Sequence, residues 1–374
     1  MTDLFSATGS WLRLGFVIAV GVAVLLAVVG QGGQPSSSVL AALFAAAVLF
    51  FVYSRGQSRV LRGLVLVALW NALLIAAAGL ALFQTGAEGA AFWVAVIAVW
   101  LGAWLLVTYV AEIRAIGGLW AKILPLIAPL LFGVTILWAW QTVVTALSVP
   151  RVILPAPIEI GARFASSTDV LWTDLVQTFV RGTLSGFTIG CGAAILFALV
   201  VDRYAFLRRG LLPVGNFLAA LPIIGTAPIF VMWFGFDWPS KAAVVVAMVF
   251  FPMLVNTVQG LASTEAMQRD LMRTYSASWW QTLATLRLPA AMPFVFNGLK
   301  ICATLALIGA IVAEFFGSPT RGMGFRISTE VGRLQLDMVW AEIAVSALLG
   351  SAFYGFWALL ERRVTFWHPS QRRR

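Results

Sequence analysis

Few side chains in this sequence could carry out chemistry, and those that could are far apart. The chain has one histidine, His368, near its end, and two cysteines, Cys191 and Cys302. Neither cysteine has a second thiol or an imidazole at the spacing of a metal or redox site, and a lone histidine without a neighbouring acid is a poor general base. We therefore expect no catalytic residues, no metal site and no enzyme activity in this chain.

The sequence also has no phosphate-binding loop of the GxxxxGK[S/T] type. Two charged residues, Lys300 and Glu314, lie within or at the edge of one apolar segment. Their separation along a helix would be about 21 Å, so they cannot pair with each other. We expect Lys300 to extend toward the nearer membrane surface. Two roles stay open for Glu314, which are capping a neighbouring helix and shaping a solute path.

The composition places most of the chain in lipid. Hydrophobic residues make up 61% and charged residues 11% of the chain, and the mean hydropathy is +0.94. Soluble domains carry about 25% charged residues. Ten apolar segments are long enough to cross a bilayer as helices. They lie at roughly 14–30, 36–54, 63–83, 89–111, 123–147, 182–201, 210–236, 242–262, 290–316 and 338–360. The expected fold class is an all-α polytopic membrane protein with about ten transmembrane helices.

The net charge of +10 could suggest a nucleic-acid partner, but its distribution indicates a topology signal instead. Arginines concentrate in every second gap between the spans, for example at 55–62, 203–209, 269–287 and 362–374. Because basic residues are retained on the cytoplasmic side, this pattern predicts that both termini are cytoplasmic. It also places the polar stretch 265–293 on the cytoplasmic side.

Residues 265–293 form a polar, amphipathic island between two apolar spans. Its apolar residues recur at spacings of three and four, namely Met267, Leu271, Met272 and Tyr275. This spacing predicts one face of a short helix. Ser278, followed three residues later by Gln281, fits a capping box and predicts that a second short helix starts there. Two such helices between spans would present a docking surface to a soluble partner.

The island resembles the EAA loop of ABC importer permeases, in which Glu-Ala-Ala is followed by a glycine and then by Leu-Pro. Aligned on Leu288-Pro289, the Glu-Ala-Ala positions are Asp270, Leu271 and Met272, and the glycine position is Ser276. The acid is thus kept as Asp, whereas the alanines and the glycine are replaced. Other segments are similar to the nitrate/sulfonate/taurine branch of these permeases, over about residues 120–370. They are 154–157 (LPAP), 227–228 (AP), 233–236 (WFGF), Lys241, 250–252 (FFP), 305–315 (LALIGAIVAEF), 322–325 (GMGF), 361–363 (ERR) and 367–370 (WHPS).

The resemblance implies a six-helix permease core in residues 116–374, with residues 1–115 as an added four-helix module of unknown role. It implies that the loop couples the core to a separate cytoplasmic ABC ATPase. The coupling residues expected are Asp270, Leu271, Met272, Arg273, Tyr275, Ser276, Ala277, Trp279, Trp280, Leu288 and Pro289. The chain would bind no cofactor of its own, because ATP would be used by the partner. Further expected partners are a periplasmic or extracellular solute-binding protein and a second permease copy, in a bacterial inner membrane.

The translocation path is expected where polar or helix-breaking residues interrupt apolar spans. The candidates are Pro222, Thr226, Pro228, Asn256, Asn297 and Glu314. A helix broken by Pro222 and Pro228 is tolerated only where protein or a water-filled cavity surrounds it. The solute class stays open among nitrate, sulfonates, taurine, bicarbonate and pyrimidine precursors. The absence of an obvious basic cluster among these candidates weakly favours an organic solute.

Three alternatives stay open at this stage. The chain could be a self-contained secondary carrier or a membrane scaffold rather than an ATP-driven permease subunit. The glycines of the sixth span, at 182, 186, 190 and 192, could pack against another helix of the chain or form a dimer seam. Arg181, just before them, could reach lipid headgroups or face the solute path.

Overall fold

The computed structural model describes residues 120–204, 223–317 and 320–368, with scattered positions between 93 and 111 and between 206 and 214. All regular secondary structure in the described part is helical. The chain divides into two compact units, Met1–Ile158 and Glu159–Arg374. The first three predicted spans and most of the fourth lie outside the described residues. So does the predicted boundary between residues 115 and 116, which therefore stays a prediction.

Five described helices are long and apolar enough to cross a membrane, which confirms an all-α polytopic membrane protein. They are Pro125–Ala146, Thr168–Arg203, Trp238–Ala262, Trp279–Gly317 and Leu336–Val364. They correspond to the fifth, sixth, eighth, ninth and tenth predicted spans. The seventh is described only in its second half, as a shorter apolar helix, Gly225–Phe234.

The helices are labelled in chain order. They are α1 (Trp120–Ala146), α2 (Pro157–Ser166), α3 (Thr168–Leu175), α4 (Ser185–Arg203), α5 (Ile223–Phe234), α6 (Trp238–Ala262), α7 (Ala266–Thr274), α8 (Trp279–Thr282), α9 (Leu288–Gly317), α10 (Met323–Gly332) and α11 (Leu336–Val364). A π-helical segment, Val176–Leu184, joins α3 to α4, and another, Leu283–Arg287, joins α8 to α9. The second lies directly before Leu288-Pro289. Because a proline ring clashes with the carbonyl four residues earlier, it opens the helix there into a wider turn.

The core of the second unit forms where α4 and α9 pack against α6. Gly186 and Gly190 allow the backbones of α4 and α6 to approach closely. A Cβ at Gly186 would lie 2.5 Å from Cβ of Val245, and a Cβ at Gly190 would lie 2.5 Å from Cγ2 of Val249. These two glycines are therefore used in packing within the chain, as the first of the two interpretations predicted. Gly192 has no atom within 4 Å of an added Cβ.

Two short amphipathic helices, α2 and α10, lie at the ends of the long helices that are opposite to the loop between α6 and α9. Helix α2 follows the LPAP segment, and α10 lies in the segment 317–336. Arg163 of α2 donates a hydrogen bond to Oε1 of Gln335 at 3.1 Å, and its Nε lies 3.7 Å from a carboxylate oxygen of Asp337. These contacts attach α2 to the start of α11.

Candidate functional site

The loop between α6 and α9 contains the two short helices that the sequence predicted. In α8, the Gln281 N–H donates to Oγ of Ser278 at 3.3 Å, and the Ser278 N–H donates to Oε1 of Gln281 at 2.7 Å. This reciprocal pair is the predicted capping box. At the start of α7, the Glu265 N–H donates in the same way to Oε1 of Gln268 at 3.2 Å.

Helix α7 ends in a Schellman motif centred on Ser276. The Ala277 N–H donates to the Met272 carbonyl at 3.0 Å, and the Ser276 N–H donates to the Arg273 carbonyl at 2.9 Å. Ser276 itself has a φ of +50°, a left-handed conformation that disfavours residues with a Cβ. This geometry gives a physical reason for a glycine at this position of the EAA pattern.

The outer surface of the loop is apolar and exposed. Tyr275 is 77% and Trp280 70% exposed, and Met267 and Leu271 are exposed as well. Beside them, Asp270 and Arg273 form an ion pair of 3.5 Å whose side chains are both largely in solvent. Met272 and Ala277 are half-buried. The surface formed by Met267, Leu271, Tyr275 and Trp280 is called the loop surface below.

Trp279 differs from its neighbour Trp280 because it packs inward. It lies against a buried cluster of Leu261, Leu283 and Ala291, which Leu288 also joins. The guanidinium of Arg203, at the end of α4, lies 5.5 Å from the centre of the Trp279 ring. Trp279 therefore anchors the loop to the helix bundle, whereas Trp280 faces outward. Pro289 lies in the first turn of α9.

Arg287 joins the end of the loop to two membrane helices. Its guanidinium donates to both carboxylate oxygens of Asp202 in α4, each at 2.6 Å. It also donates to the Leu261 carbonyl of α6, at 3.1 Å from Nε and 2.9 Å from Nη2. The sequence analysis did not single out this set of contacts, which is called the Arg287 clamp below. Its one signal in the sequence was an acid, Asp202, in a gap that otherwise carries arginines.

Lys300 is paired with a carboxylate of α11. Its Nζ lies 2.7 Å from Oε2 of Glu361 in α11, and both side chains are mostly buried. Glu361 lies in the last turn of α11, next to Arg362 and Arg363, and the expectation that Lys300 extends toward the cytoplasmic membrane surface stays a prediction. The expectation that Lys300 and Glu314 do not pair holds among the contacts described here.

The candidate path residues fall into three groups. Pro222 lies outside the described residues, and Thr226 and Pro228 are half-buried on α5, which packs against α6 and α9. Asn256 of α6 and Asn297 of α9 come together, since Nδ2 of Asn297 donates to Oδ1 of Asn256 at 3.2 Å. Glu314 lies toward the opposite end of α9 from Asn297.

Glu314 is fully buried and caps a neighbouring helix. Its carboxylate accepts the hydroxyl of Thr178 at 2.8–2.9 Å and the N–H of Gly324, in the first turn of α10, at 2.8 Å. The same Thr178 hydroxyl accepts the N–H of Met323 at 2.8 Å. Of its two possible roles, the contacts therefore support the structural one, because Oε2 binds the Gly324 N–H directly and both oxygens accept from the Thr178 hydroxyl, which binds the Met323 N–H.

A second buried acid, Asp174, completes this polar network. Its carboxylate accepts a hydrogen bond from the Gly322 N–H at 2.7 Å and another from Nε–H of Arg326 at 2.8 Å. Gly322 has a φ of +124°, and a Cβ there would overlap the Glu314 carboxylate. Gly322, the first glycine of the GMGF segment, is thus required for the close approach of the backbone to the Glu314 carboxylate. The sequence analysis missed Asp174 and Thr178, whose spacing of four along one helix was the only available signal.

The comparisons with known proteins identify the family. The profile described as binding-protein-dependent transport system inner membrane component matches residues 186–366. A probable ABC transporter permease protein of Haemophilus influenzae is 32% identical over 232 residues, which is 61% of this chain and 93% of that protein. The chain belongs to this family of ABC transporter permeases.

Two further relatives extend the comparison. The formylaminopyrimidine transport permease protein of Halalkalibacterium halodurans is 32% identical to this permease, over 65% of this chain and 96% of its own length. The taurine transport system permease protein of Escherichia coli is 28% identical, over 62% of this chain and 86% of its own length. All three relatives are named as permeases, so the permease class is shown, while the two names that give a solute give different ones.

Proposed function

We propose that this permease moves a small solute across the membrane when a separate cytoplasmic ABC ATPase docks on the loop surface and moves it. The observation that carries the proposal is the combination of an exposed apolar loop surface with the Arg287 clamp beneath it. The clamp ties the loop to α4 and α6, and the loop continues directly into α9. A displacement of the loop would therefore be passed to three membrane helices.

The composition of the loop surface supports a protein partner. Tyr and Trp are the residue types most often found at the energetic centres of protein interfaces, and Tyr275 and Trp280 are both exposed. Asp270 and Arg273 lie at the edge, where charges set orientation and association rate more than affinity. Met272 and Ala277 are half-buried beneath the surface and support it.

The remaining assignments follow from the permease class and the charge pattern. The solute belongs to the nitrate, sulfonate, taurine or pyrimidine-precursor type, and a solute-binding protein delivers it to the side opposite the loop. Two permease copies and two ATPase copies form the working unit, ATP is used by the ATPase, and both termini are cytoplasmic in a bacterial inner membrane. Residues 1–115 form an added membrane module. The path runs past the Asn256–Asn297 pair and α5.

The test is ATP-driven uptake by the full chain reconstituted in proteoliposomes with its ATPase. We expect Tyr275→Ala/Trp280→Ala to abolish ATPase binding and uptake together, since each substitution removes an aromatic group from the loop surface. Trp172→Ala is the matched control, because this tryptophan is 65% exposed but lies at the opposite end of the helices. It is expected to keep ATPase binding.

Two results would contradict the proposal. One is unchanged ATPase binding by the double variant, which would remove the loop surface as the docking site. The other is solute uptake by the purified chain without any ATPase, which would favour the alternative of a self-contained secondary carrier. A chain that neither binds an ATPase nor moves solute would favour a membrane scaffold.

A further inference from the structure

A third buried acid, Glu342 of α11, lies beside the network that holds α10. Its side chain is fully buried, as are those of Asp174 and Glu314. Asp174 and Glu314 accept hydrogen bonds from N–H and hydroxyl groups. Neither carboxyl oxygen of Glu342 has a hydrogen-bond partner among the residues that the structure describes. An ionised carboxylate without donors is costly to bury, and such a group is neutralised by a proton instead.

The packing of α11 directs Glu342 toward α3 and α10. Met338 and Val345, which lie four residues before and three residues after Glu342, belong to one buried cluster. The same cluster contains Leu171 of α3 and Met323 of α10. Because residues three and four apart share one face of a helix, Glu342 lies on the face of α11 that contacts these two helices.

The charged groups around Glu342 are mostly acids. Asp174 of α3 is close enough to its carboxyl group for a hydrogen bond, and Glu314 of α9 and Arg326 of α10 lie within electrostatic range. Glu330 of α10 is also buried, and one of its oxygens lies 3.9 Å from Nη1 of Arg326. Arg326 is the cation of this set, but its Nε–H is bound to Asp174 at 2.8 Å. Glu342 therefore shares the site with a cation that is already paired.

Of the two adjacent carboxyl groups, Asp174 is the one stabilised as an anion. It is bound by Arg326 and by the Gly322 N–H, and Glu342 has no such contact in the described part of the chain. Two carboxylates side by side repel each other, so one of the two takes up a proton. A protonated carboxyl group can donate a hydrogen bond, whereas a carboxylate can only accept one. Both groups are therefore satisfied when Glu342 carries the proton.

We propose that Glu342 and Asp174 form a proton-binding site, in which Glu342 carries the proton and donates it in a hydrogen bond to Asp174. Binding takes a proton from water, forms an O–H bond on Glu342 and removes one negative charge from the buried network. Release breaks that bond, returns the proton to water and leaves two adjacent carboxylates between α3 and α11. The bound proton thus stabilises the packing of these helices. Among the described residues, no group of three or more acidic, histidine or cysteine side chains is placed to hold a metal ion, so the geometry favours a proton over a larger cation.

The first test detects the proton directly, by infrared spectroscopy of the full chain in detergent at about pH 7. The carbonyl stretch of a protonated carboxyl group is separate from the bands of ionised carboxylates. We expect the wild type to show such a band, and Glu342→Gln to lose it. Asp169→Asn is the matched control, because it removes an exposed carboxyl group from α3, and it should keep the band.

The second test measures thermal unfolding of the same proteins as a function of pH. Above about pH 5 an unfolded chain releases the proton of a glutamate, whereas the folded chain would keep the proton on Glu342. The folded state then binds one more proton than the unfolded state, so the stability of the wild type falls as the pH rises. Glu342→Gln has no proton to release at this position. Its folding equilibrium constant should therefore gain on that of the wild type by up to about tenfold per pH unit, and Asp169→Asn should not gain.

A further variant, Glu342→Leu, separates the loss of charge from the loss of the hydrogen bond. Leucine is neutral, so its stability should also gain on the wild type as the pH rises. It cannot donate to Asp174, whereas the glutamine amide can. At about pH 5 we therefore expect the folding equilibrium constant of Glu342→Leu to be about fivefold lower than that of Glu342→Gln, which corresponds to one hydrogen bond.

Three results would overturn the assignment. An infrared band that is unchanged in Glu342→Gln would show that Glu342 is ionised. A stability difference between the wild type and Glu342→Gln that stays constant above about pH 5 would show that folding does not retain the proton. Equal stability of the leucine and glutamine variants at about pH 5 would remove Asp174 from the site, because no hydrogen bond between the two side chains would then be lost.

Discussion

The Arg287 clamp offers a quantitative test of how the loop is held. Both partners are buried, with side-chain exposures of 14% for Arg287 and 1% for Asp202. The clamp contains two hydrogen bonds of 2.6 Å to the carboxylate and two to the Leu261 carbonyl. The variant that loses one of the two charges should therefore be the least stable. The variant that loses only the forked geometry should be intermediate, and the variant that loses both charges should be the most stable of the three.

The expected magnitudes follow from burial. Arg287→Met leaves the Asp202 carboxylate buried without its partner, and this should lower the free energy of unfolding by about 3–5 kcal/mol. Arg287→Lys keeps the charge but loses the fork, so it should cost about 1.5–3 kcal/mol, the value of a hydrogen bond to a charged group. Asp202→Leu/Arg287→Met removes both charges and should return stability close to that of the wild type.

The assay is thermal unfolding of the purified chain, combined with ATP-driven uptake in proteoliposomes. For the unfolding measurement the control is Arg273→Gln, because Arg273 and Asp270 are 83% and 68% exposed and such surface pairs contribute about 0–1 kcal/mol. If the clamp also transmits movement from the loop, Asp202→Leu/Arg287→Met should restore stability, while its rate of ATP-driven uptake should stay low.

Two observations would refute this reasoning. If Arg287→Met unfolds at the wild-type temperature, the buried pair does not support the fold as its geometry indicates. If the cost of the double variant equals the sum of the costs of Arg287→Met and Asp202→Leu measured singly, the two residues are not energetically coupled, since the double-mutant cycle then shows no interaction term.

Three further predictions concern single positions. Ser276→Gly should raise stability by about 1 kcal/mol in thermal unfolding, because glycine adopts the left-handed conformation at +50° without strain. Gly186→Ala should lower stability by about 1–3 kcal/mol, because its Cβ would lie 2.7 Å from a backbone carbonyl oxygen, whereas Gly192→Ala, with open space around it, should not. Glu314→Gln should lower stability by about 1–3 kcal/mol. The side-chain amide has one acceptor oxygen where the carboxylate has two, and both carboxylate oxygens accept hydrogen bonds. Each prediction fails if the melting temperature moves in the opposite direction or, for Gly186, no more than for Gly192.

Local sequence patterns were sufficient for the elements of the loop. The capping pair of Ser278 and Gln281 lies three residues apart, so its hydrogen bonds form within one turn and can be read directly from the sequence. The left-handed conformation of Ser276 was not predicted, because the sequence analysis only placed this serine where the resemblance expects a glycine. The membrane spans depend on hydropathy summed over a window, which is likewise a property of contiguous residues.

Contacts between distant residues were not predictable in this way. Arg287 pairs with Asp202 across 85 positions, and Arg326 pairs with Asp174 across 152. Nothing near Lys300 in the sequence indicated Glu361 as its partner. Thr173 and Asp174 are neighbours in the chain, yet Asp174 is fully buried in the network around Glu314 and Thr173 is only half-buried.

The sequence by itself determined that this chain is a helical membrane protein with a capped two-helix loop between spans, because hydropathy and capping depend only on residues close together. Only the tertiary structure decided which charges pair, which tryptophan of the loop faces outward, and which buried acids hold α10. Those features depend on the angle and register at which helices pack, and these are set by side chains far apart in the chain.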